Sequence, residues 1–211
     1  MPTVGASKSG VPAELLARAF QEDPFFRWAE RNPRRRPRLL KTVFAGMLEL
    51  AAQDGGALIE PGVGAVEWRP SDRLQLSAWA ILKSGLWRVG LEVPPSVWLR
   101  LNAHEASAMA RVRAFLSPGS AYLESLGVEP ALAGQGYGGR LLDQALAEMG
   151  RQWTSCVLRT EQPRNVAFYQ RHGFELVDEL VVAASGLRVW IFSRSLEVWK
   201  EPLREGGGSH A

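Results

Sequence analysis

Cysteine is almost absent from this 211-residue sequence, which contains only one, Cys156. A lone thiol excludes an internal disulfide framework and favours a reducing compartment, so we expect a cytoplasmic protein. Cys156 lies within the apolar run TSCVL. We therefore expect it to be a small buried side chain rather than a nucleophile.

Long hydrophobic runs are missing as well. No stretch approaches about 18 apolar residues, the length of a membrane-spanning helix, so we expect no membrane partner. Residues 1–10, MPTVGASKSG, lack the apolar segment of a signal peptide. Residues 206–211 are rich in glycine, and we expect them to form a flexible tail after a single domain over residues 1–205.

Histidine is scarce, too. The three are His104, His172 and His210, and no two have the spacing of metal ligands, so we expect no metal. The net charge of +3 is mildly basic and suits an anionic ligand. We interpret the arginine run over residues 31–38 as a solvated loop, and the alternative is a surface that binds phosphate or nucleic acid.

Hydrophobic periodicity predicts an alternation of helices and strands. Asp23-Pro24 and the stretch RNPRRRP are predicted to link the first two helices, and residues 73–116 to form an insert of two helices. The remaining predicted elements are helices over 12–21, 37–53, 137–150 and 165–172, a hairpin over 57–68, strands over 121–128 and 155–160, and two strands after 173. This order is typical of a mixed α/β or α+β fold.

The segment VEPALAGQGYGG, residues 128–139, places four glycines within six residues just before a predicted helix. Glycine permits positive φ and close approach to the backbone, which suits a phosphorylated ligand on a helix N-terminus. The spacing of Gly134, Gly136 and Gly139 satisfies the dinucleotide fingerprint, but too few strands follow for that fold. No Gly-Lys-Ser/Thr follows to make a P-loop, and a plain glycine-rich surface turn remains the alternative.

Two motifs around this loop carry a family resemblance. The first comprises Val128-x-Pro130, Gly136-x-Gly138 and the pair Leu141-Leu142, and the second is Asn165-Val-Ala-Phe-Tyr-Gln-Arg-His-Gly-Phe174. In this order and at this distance they resemble the GNAT acetyltransferase superfamily. The whole chain resembles the branch that includes puromycin N-acetyltransferase. The resemblance implies a mixed, mostly antiparallel sheet that is splayed at its central strands and flanked by helices.

The same resemblance implies acetyl-CoA as co-substrate, with its pyrophosphate on the glycine loop. Where the family usually has Gln or Arg, this chain has Ala133, so main-chain amides would have to bind the pyrophosphate. The pantetheine arm would pair with the exposed backbone of the strand before the loop. The implied coenzyme-binding residues are Leu126, Gly127, Val128, Gly134, Gln135, Gly136, Tyr137, Gly138, Gly139, Asn165 and Tyr169.

Acetyl transfer to an amine requires two proton transfers, one to the leaving thiolate and one from the attacking amine. Tyr169 is the candidate donor to the leaving thiolate, and the alternative is a core aromatic residue, with Asn165 only a helix N-cap. Glu124 is the candidate base, because period-2 alternation puts it on the same strand face as Leu126. The alternative is a surface carboxylate, and Glu67 is the reserve base.

The sequence thus predicts an acetyl-CoA-dependent N-acetyltransferase that acts on a primary amine of a small molecule by direct attack. The alternative is a catalytically degenerate acyl-CoA-binding sensor module, to which Ala133 points. We expect no nucleic-acid partner, and a homodimer is an open expectation. The acceptor cannot be named from the sequence.

Overall fold

A six-stranded mixed sheet organises the protein, whose computed structural model describes residues 10–196. The predicted tail at 206–211 lies outside these residues, and the single-domain division stays a prediction. The strand order is β1-β2-β3-β4-β6-β5. The strands are β1 Gly56–Glu60, β2 Gly64–Pro70, β3 Ser120–Val128, β4 Ser155–Thr160, β5 Glu175–Val182 and β6 Leu187–Ser195.

Eight α-helices surround this sheet within the described residues. They are α1 Gly10–Ala19, α2 Pro24–Ala29, α3 Arg36–Asp54, α4 Ala78–Ser84, α5 Trp87–Glu92, α6 Pro95–Val112, α7 Tyr137–Met149 and α8 Arg164–Arg171. The apolar stripe of α7 packs on β2 and β3 through Leu141, Leu142 and Met149. Helices α1, α2 and α3 share another core around Leu16, Phe26 and related side chains.

The sheet divides at its centre. Strands β3 and β4 are parallel, and they pair only where Ser120–Tyr122 meets Ser155–Val157. Every other neighbouring pair of strands is antiparallel. Beyond these three residue pairs β3 and β4 separate, so the predicted mixed, mostly antiparallel and centrally splayed sheet is confirmed.

Two predictions about helices are wrong. Residues 24–29 were expected in a linker but form α2, because Asp23 caps its first amides and Pro24 suits the first helical position. The insert contains three helices rather than two, because Gly85 takes a left-handed conformation with φ +79 and ends α4. Arg36 is also no part of a solvated loop, since its buried guanidinium donates to the carbonyls of Glu30 and Gln21.

Candidate active site

Beyond Tyr122, the edge of β3 that faces β4 is unpaired. The register with β2 shows which of its main-chain groups point into the gap. Glu129 N donates to Val63 O at 2.8 Å, and the antiparallel register with β2 runs back from there through Gly64↔Val128 and Val66↔Leu126. Hydrogen-bonded and non-hydrogen-bonded pairs alternate along such a ladder. The amides and carbonyls of Leu126 and Val128 therefore point away from β2 into the gap, and those of Gly127 point towards β2.

The glycine loop continues directly from this edge. Gly134 and Gly136 have φ of +79 and +86, a region in which other residues are strained. Helix α7 then begins at Tyr137 without any side-chain cap on its first turn. The amides of Tyr137, Gly138 and Gly139 are therefore available to an anion, and the helix dipole adds to the attraction.

Small size is needed at Gly139, where a Cβ would lie 2.8 Å from Nε2 of His172. A Cβ on Gly138 would lie 3.6 Å from the Val128 side chain, which is an ordinary contact. His172 is itself fixed, because its Nδ1 bonds the Phe168 carbonyl oxygen at 2.8 Å. Helices α7 and α8 thus meet closely where the loop ends. Gln135 points back, its Nε2 donating to Ala131 O at 3.2 Å, and Ala133 is exposed.

Helix α8 brings Asn165 and Tyr169 to the gap. The side-chain amide of Asn165 donates to Thr160 Oγ1, at the end of β4, at 3.1 Å. Asn165 lies inside the helix, so it is not the N-cap that the alternative interpretation required. The Tyr169 ring is buried against Phe174 and Phe192 while lining the cleft. Burial raises the pKa of Tyr169 well above its ordinary value, so the phenol stays protonated.

Glu124 lies in the cleft, but not for the predicted reason. Its Oε1 accepts from Arg69 Nε at 2.9 Å and from Arg69 Nη2, on the sheet face away from α7. Leu126 packs on the α7 side, as does Leu123. A register shift between Glu67 and Trp68 interrupts the alternation here, so the expectation that Glu124 shares a face with Leu126 is wrong. Burial raises the pKa of Glu124, and Arg69 opposes that rise.

Glu67, the reserve base, is the most deeply buried acid in this region, with no exposed side-chain surface. Its Oε1 accepts from Ser125 Oγ at 2.8 Å, while its Oε2 has no hydrogen-bond partner. Burial, followed by the charge of Glu124, raises the pKa of Glu67 to about 8. Glu67 is therefore mostly protonated at neutral pH, whereas Glu124 has a cation beside it.

One cleft of about 1390 Å³ is lined by most of these residues, but not by Gln135 or Tyr137. Its lining includes the edge of β3, the glycine loop, Tyr169 and both glutamates. It also includes Asp23, Glu105, Arg159 and Glu161, which the sequence analysis did not single out as site residues. Of these, only Asp23 had a local signal, as a capping residue before proline.

The described part of the chain contains no cluster of three or more His, Cys, Asp or Glu placed to hold a metal ion. Among residues 10–196, no helix combines the length and the apolar character needed to cross a membrane. Cys156 is buried, and burial raises the pKa of its thiol to about 12. The prediction that Cys156 is a buried, unreactive side chain is consistent with this environment.

Residues 96–176 match the family model described as "Acetyltransferase (GNAT) domain". No curated protein matches the chain at a significant level. The matched segment runs from α6 to the start of β5 and so contains the splayed strands, the glycine loop and Tyr169. Over these residues, less than half of the chain, the sequence is similar to a GNAT acetyltransferase domain.

Two solved structures align over nearly the whole chain. The apo form of a mutant agmatine N-acetyltransferase is 21% identical, covers 92% of this chain and 96% of its own, and has a TM-score of 0.57. A Corynebacterium glutamicum protein, described as histone acetyltransferase HPA2 and related acetyltransferase, is 19% identical over 96% and 97%, with a TM-score of 0.59. At these identities the likeness shows the fold.

Other alignments are shorter. The chain spans 61% of the length of the Escherichia coli ribosomal-protein-S18-alanine N-acetyltransferase, at 20% identity over 42% of this chain and a TM-score of 0.35. The chain spans 60% and 56% of the lengths of two further acetyltransferase structures. The fold and the matched segment are both similar to those of GNAT acetyltransferases. The acceptor amine is a separate question.

Proposed function

We propose that the protein transfers the acetyl group of acetyl-CoA to the primary amine of a small molecule by direct attack, without a covalent enzyme intermediate. The observation that supports this most strongly is that one cleft joins the open edge of β3, the uncapped start of α7, Tyr169 and two buried glutamates. Acetyl-CoA supplies the thioester. Holding it beside the amine in one cleft makes the transfer effectively unimolecular, which contributes about 7–11 kcal/mol to lowering the barrier.

The residues present fit the coenzyme. The amides of Tyr137, Gly138 and Gly139 suit the pyrophosphate, and the absence of a Cβ at Gly138 and Gly139 leaves the backbone accessible. The main-chain groups of Leu126 and Val128 suit the amides of an extended arm. Gly127, Gly134 and Gln135 complete this segment, and Asn165 holds the end of β4. Ala133 therefore does not prevent binding through the backbone.

Glu124 and Tyr169 are the candidates for the two proton transfers of the reaction. An alkylamine has a pKa of about 10.4, so it must lose a proton before it attacks. Glu124, paired with Arg69, accepts this proton. Glu67 is the second candidate, and it accepts a proton only in its ionised form, which is the minor form at neutral pH. As the nitrogen bonds the acetyl carbon, the carbon–sulfur bond breaks with its electron pair on sulfur. Tyr169 donates a proton to that sulfur, and solvent restores both groups afterwards.

The finer expectations stay predictions. These are the resemblance to the branch of puromycin N-acetyltransferase, the cytoplasmic location and a homodimer. A non-catalytic sensor gains no support from the comparisons. The near-full-length fold match to agmatine N-acetyltransferase makes agmatine a rational member of an acceptor panel.

The test is thiol release from acetyl-CoA with a panel of primary amines, with Tyr169→Phe measured beside the wild type. We expect at least one amine to release thiol, and Tyr169→Phe to lower kcat about 100-fold or more. Tyr122→Phe is the matched control, because Tyr122 is another buried tyrosine lining the cleft. Coenzyme A binding without thiol release from any amine would contradict the proposal.

A further inference from the structure

Acidic side chains line the cleft around Tyr169. Near the β3–β4 gap they are Asp23, Glu67, Glu105, Glu124 and Glu161. Arg69, which is buried, and Arg159, which is half-buried, lie among them, and Arg113, Arg140, Arg164 and Arg171 also line the cleft. Buried carboxyl groups are costly unless a cation or a hydrogen-bond donor joins them.

Two of these acids have a free acceptor that is buried. Oε2 of Glu67 and Oε2 of Glu124 are inaccessible to solvent and take no hydrogen bond from the protein. The Glu124 side chain is only 6% exposed, and Glu67 is completely buried. Unpaired carboxylate oxygens at such depth indicate a donor from a ligand, and an ammonium group is a donor of matching charge.

A second acidic group lies nearer to α2. One oxygen of Asp23 caps this helix, accepting from Phe25 N at 3.0 Å and Phe26 N at 3.4 Å. Glu161 is fixed by His104, whose Nε2 lies 3.2 Å from its Oε1, and by Arg159 at 3.3 Å. Burial and then the charge of Glu161 raise the pKa of Asp23 to about 7. Two fixed carboxylates thus repel each other inside the cleft.

The two acidic groups have different hydrogen-bond partners. Asp23 bonds the first amides of α2 and Glu161 bonds His104, whereas Glu67 bonds Ser125 and Glu124 bonds Arg69. Phe25 and Phe26 also line the cleft, two and three residues after Asp23 in the chain. The cleft therefore offers two acidic groups and apolar surface, a combination complementary to an apolar chain with a cation at each end.

We propose that the acceptor is a dication, a flexible apolar chain with two positively charged groups, such as a linear diamine or an aminoguanidine. The reacting amine lies at Glu67 and Glu124, and the second cation lies at Asp23 and Glu161. This assignment rests on the proposed function. Once the reacting amine has lost its proton, the second group is still charged, and it needs a counter-ion where water is excluded.

Diaminobutane and butylamine test this assignment, because they share a chain length and differ in the second charge. With saturating acetyl-CoA, we expect kcat/KM to be at least about tenfold higher for diaminobutane. Asp23→Asn should lower the ratio of the two kcat/KM values about tenfold, while asparagine preserves the helix cap. Glu161→Gln should act in the same direction.

Asp72→Asn is the matched control, because Asp72 is an exposed aspartate at another helix start, and it should leave the ratio unchanged. Calorimetry of diaminobutane with the protein–CoA complex gives a readout independent of chemistry, and Asp23→Asn should weaken that binding about tenfold. Equal use of both amines overturns the dication assignment but leaves the transferase intact. Diamine binding that depends on Asp23, without thiol release from any amine, supports a cation site at Asp23 but contradicts the proposed function. Absence of diamine binding overturns the assignment.

Discussion

Arg69 on β2 and Glu124 on β3 form an ion pair inside the cleft, with Arg69 Nε donating to Glu124 Oε1 at 2.9 Å. The two side chains are 4% and 6% exposed. The pair lies where the ladder between β2 and β3 shifts register. Arg69 also donates from Nη1 to the Arg73 carbonyl, so its guanidinium is held from two directions. The arginine therefore opposes the rise in pKa that burial imposes on Glu124, at the place where an amine must lose a proton.

Arg69→Met should leave Glu124 as an unpaired buried acid. We expect unfolding free energy to fall by about 3–5 kcal/mol, measured by urea denaturation. The pKa of Glu124 should rise further, so the activity profile should shift to higher pH. Arg111→Met is the control, because Arg111 pairs with Asp178 on the surface and its loss should cost at most about 1 kcal/mol. Equal losses in the two variants would contradict this account.

Glu67 should make stability depend on pH. Its pKa is raised to about 8 in the folded protein from 4.5, so the folded state keeps a proton that the unfolded chain releases. This contribution is fully present below about pH 4.5 and is lost as pH rises through about 8. Glu67→Gln should remove it, with a difference on the order of a few kcal/mol at pH 9.

The measurement for Glu67 is urea unfolding of the wild type and Glu67→Gln at several pH values from 5 to about 9. Glu49→Gln, on the exposed surface of α3, is the control and should follow the wild type throughout. Parallel curves for wild type and Glu67→Gln would show that Glu67 does not hold a proton at neutral pH.

Gly136→Ala should weaken coenzyme A binding specifically. Gly136 has φ +86 at the start of α7, and Gly62 has φ +74 in the turn between β1 and β2, with open space around both Cβ positions. Both substitutions to alanine should cost about 1 kcal/mol of stability. Only Gly136→Ala should raise the Kd for coenzyme A, by about tenfold in calorimetry, because it redirects the amides of the loop. Equal Kd values for the two variants would remove the loop from the binding site.

Cys156 should be inert in the folded protein. Burial raises its pKa to about 12, so almost no thiolate is present at neutral pH. We expect no reaction with a chromogenic disulfide reagent until denaturant is added, and full reaction of one thiol afterwards. Cys156→Ala should retain acetyl transfer, as direct attack requires. A rapid reaction under native conditions would point instead to an accessible nucleophile.

The pattern of residues along the chain was enough to predict much of the fold. The apolar run at residues 155–160 became β4 with the predicted bounds, and the glycine loop leads into α7 at the predicted residue, Tyr137. These features depend on neighbours along the chain. The short helix at Pro24 was missed because the same proline that stops a helix can also begin one.

The charged half of the site could not be predicted in the same way. Asp23 precedes α2, whereas Arg159 and Glu161 lie at the end of β4, and the latter two bond Glu105 and His104, which are far away in sequence. The alternation of β3 also failed at Glu124, since a register shift against β2 depends on both strands together. Glu124 lines the cleft, but not through the alternation from which its position was predicted.

Because β3 and β4 pair over a short length, bound coenzyme is expected to stabilise the sheet at this position. The pairing between β3 and β4 is confined to Ser120–Tyr122 and Ser155–Val157, with one further bond beside it from Thr154 N to Gly119 O. An extended ligand in the gap would link the two strands where they are otherwise apart. Binding of the coenzyme would then also connect β3 to β4. Coenzyme A should accordingly raise the melting temperature, and it should slow amide exchange along both margins of the gap more than in the outer hairpins.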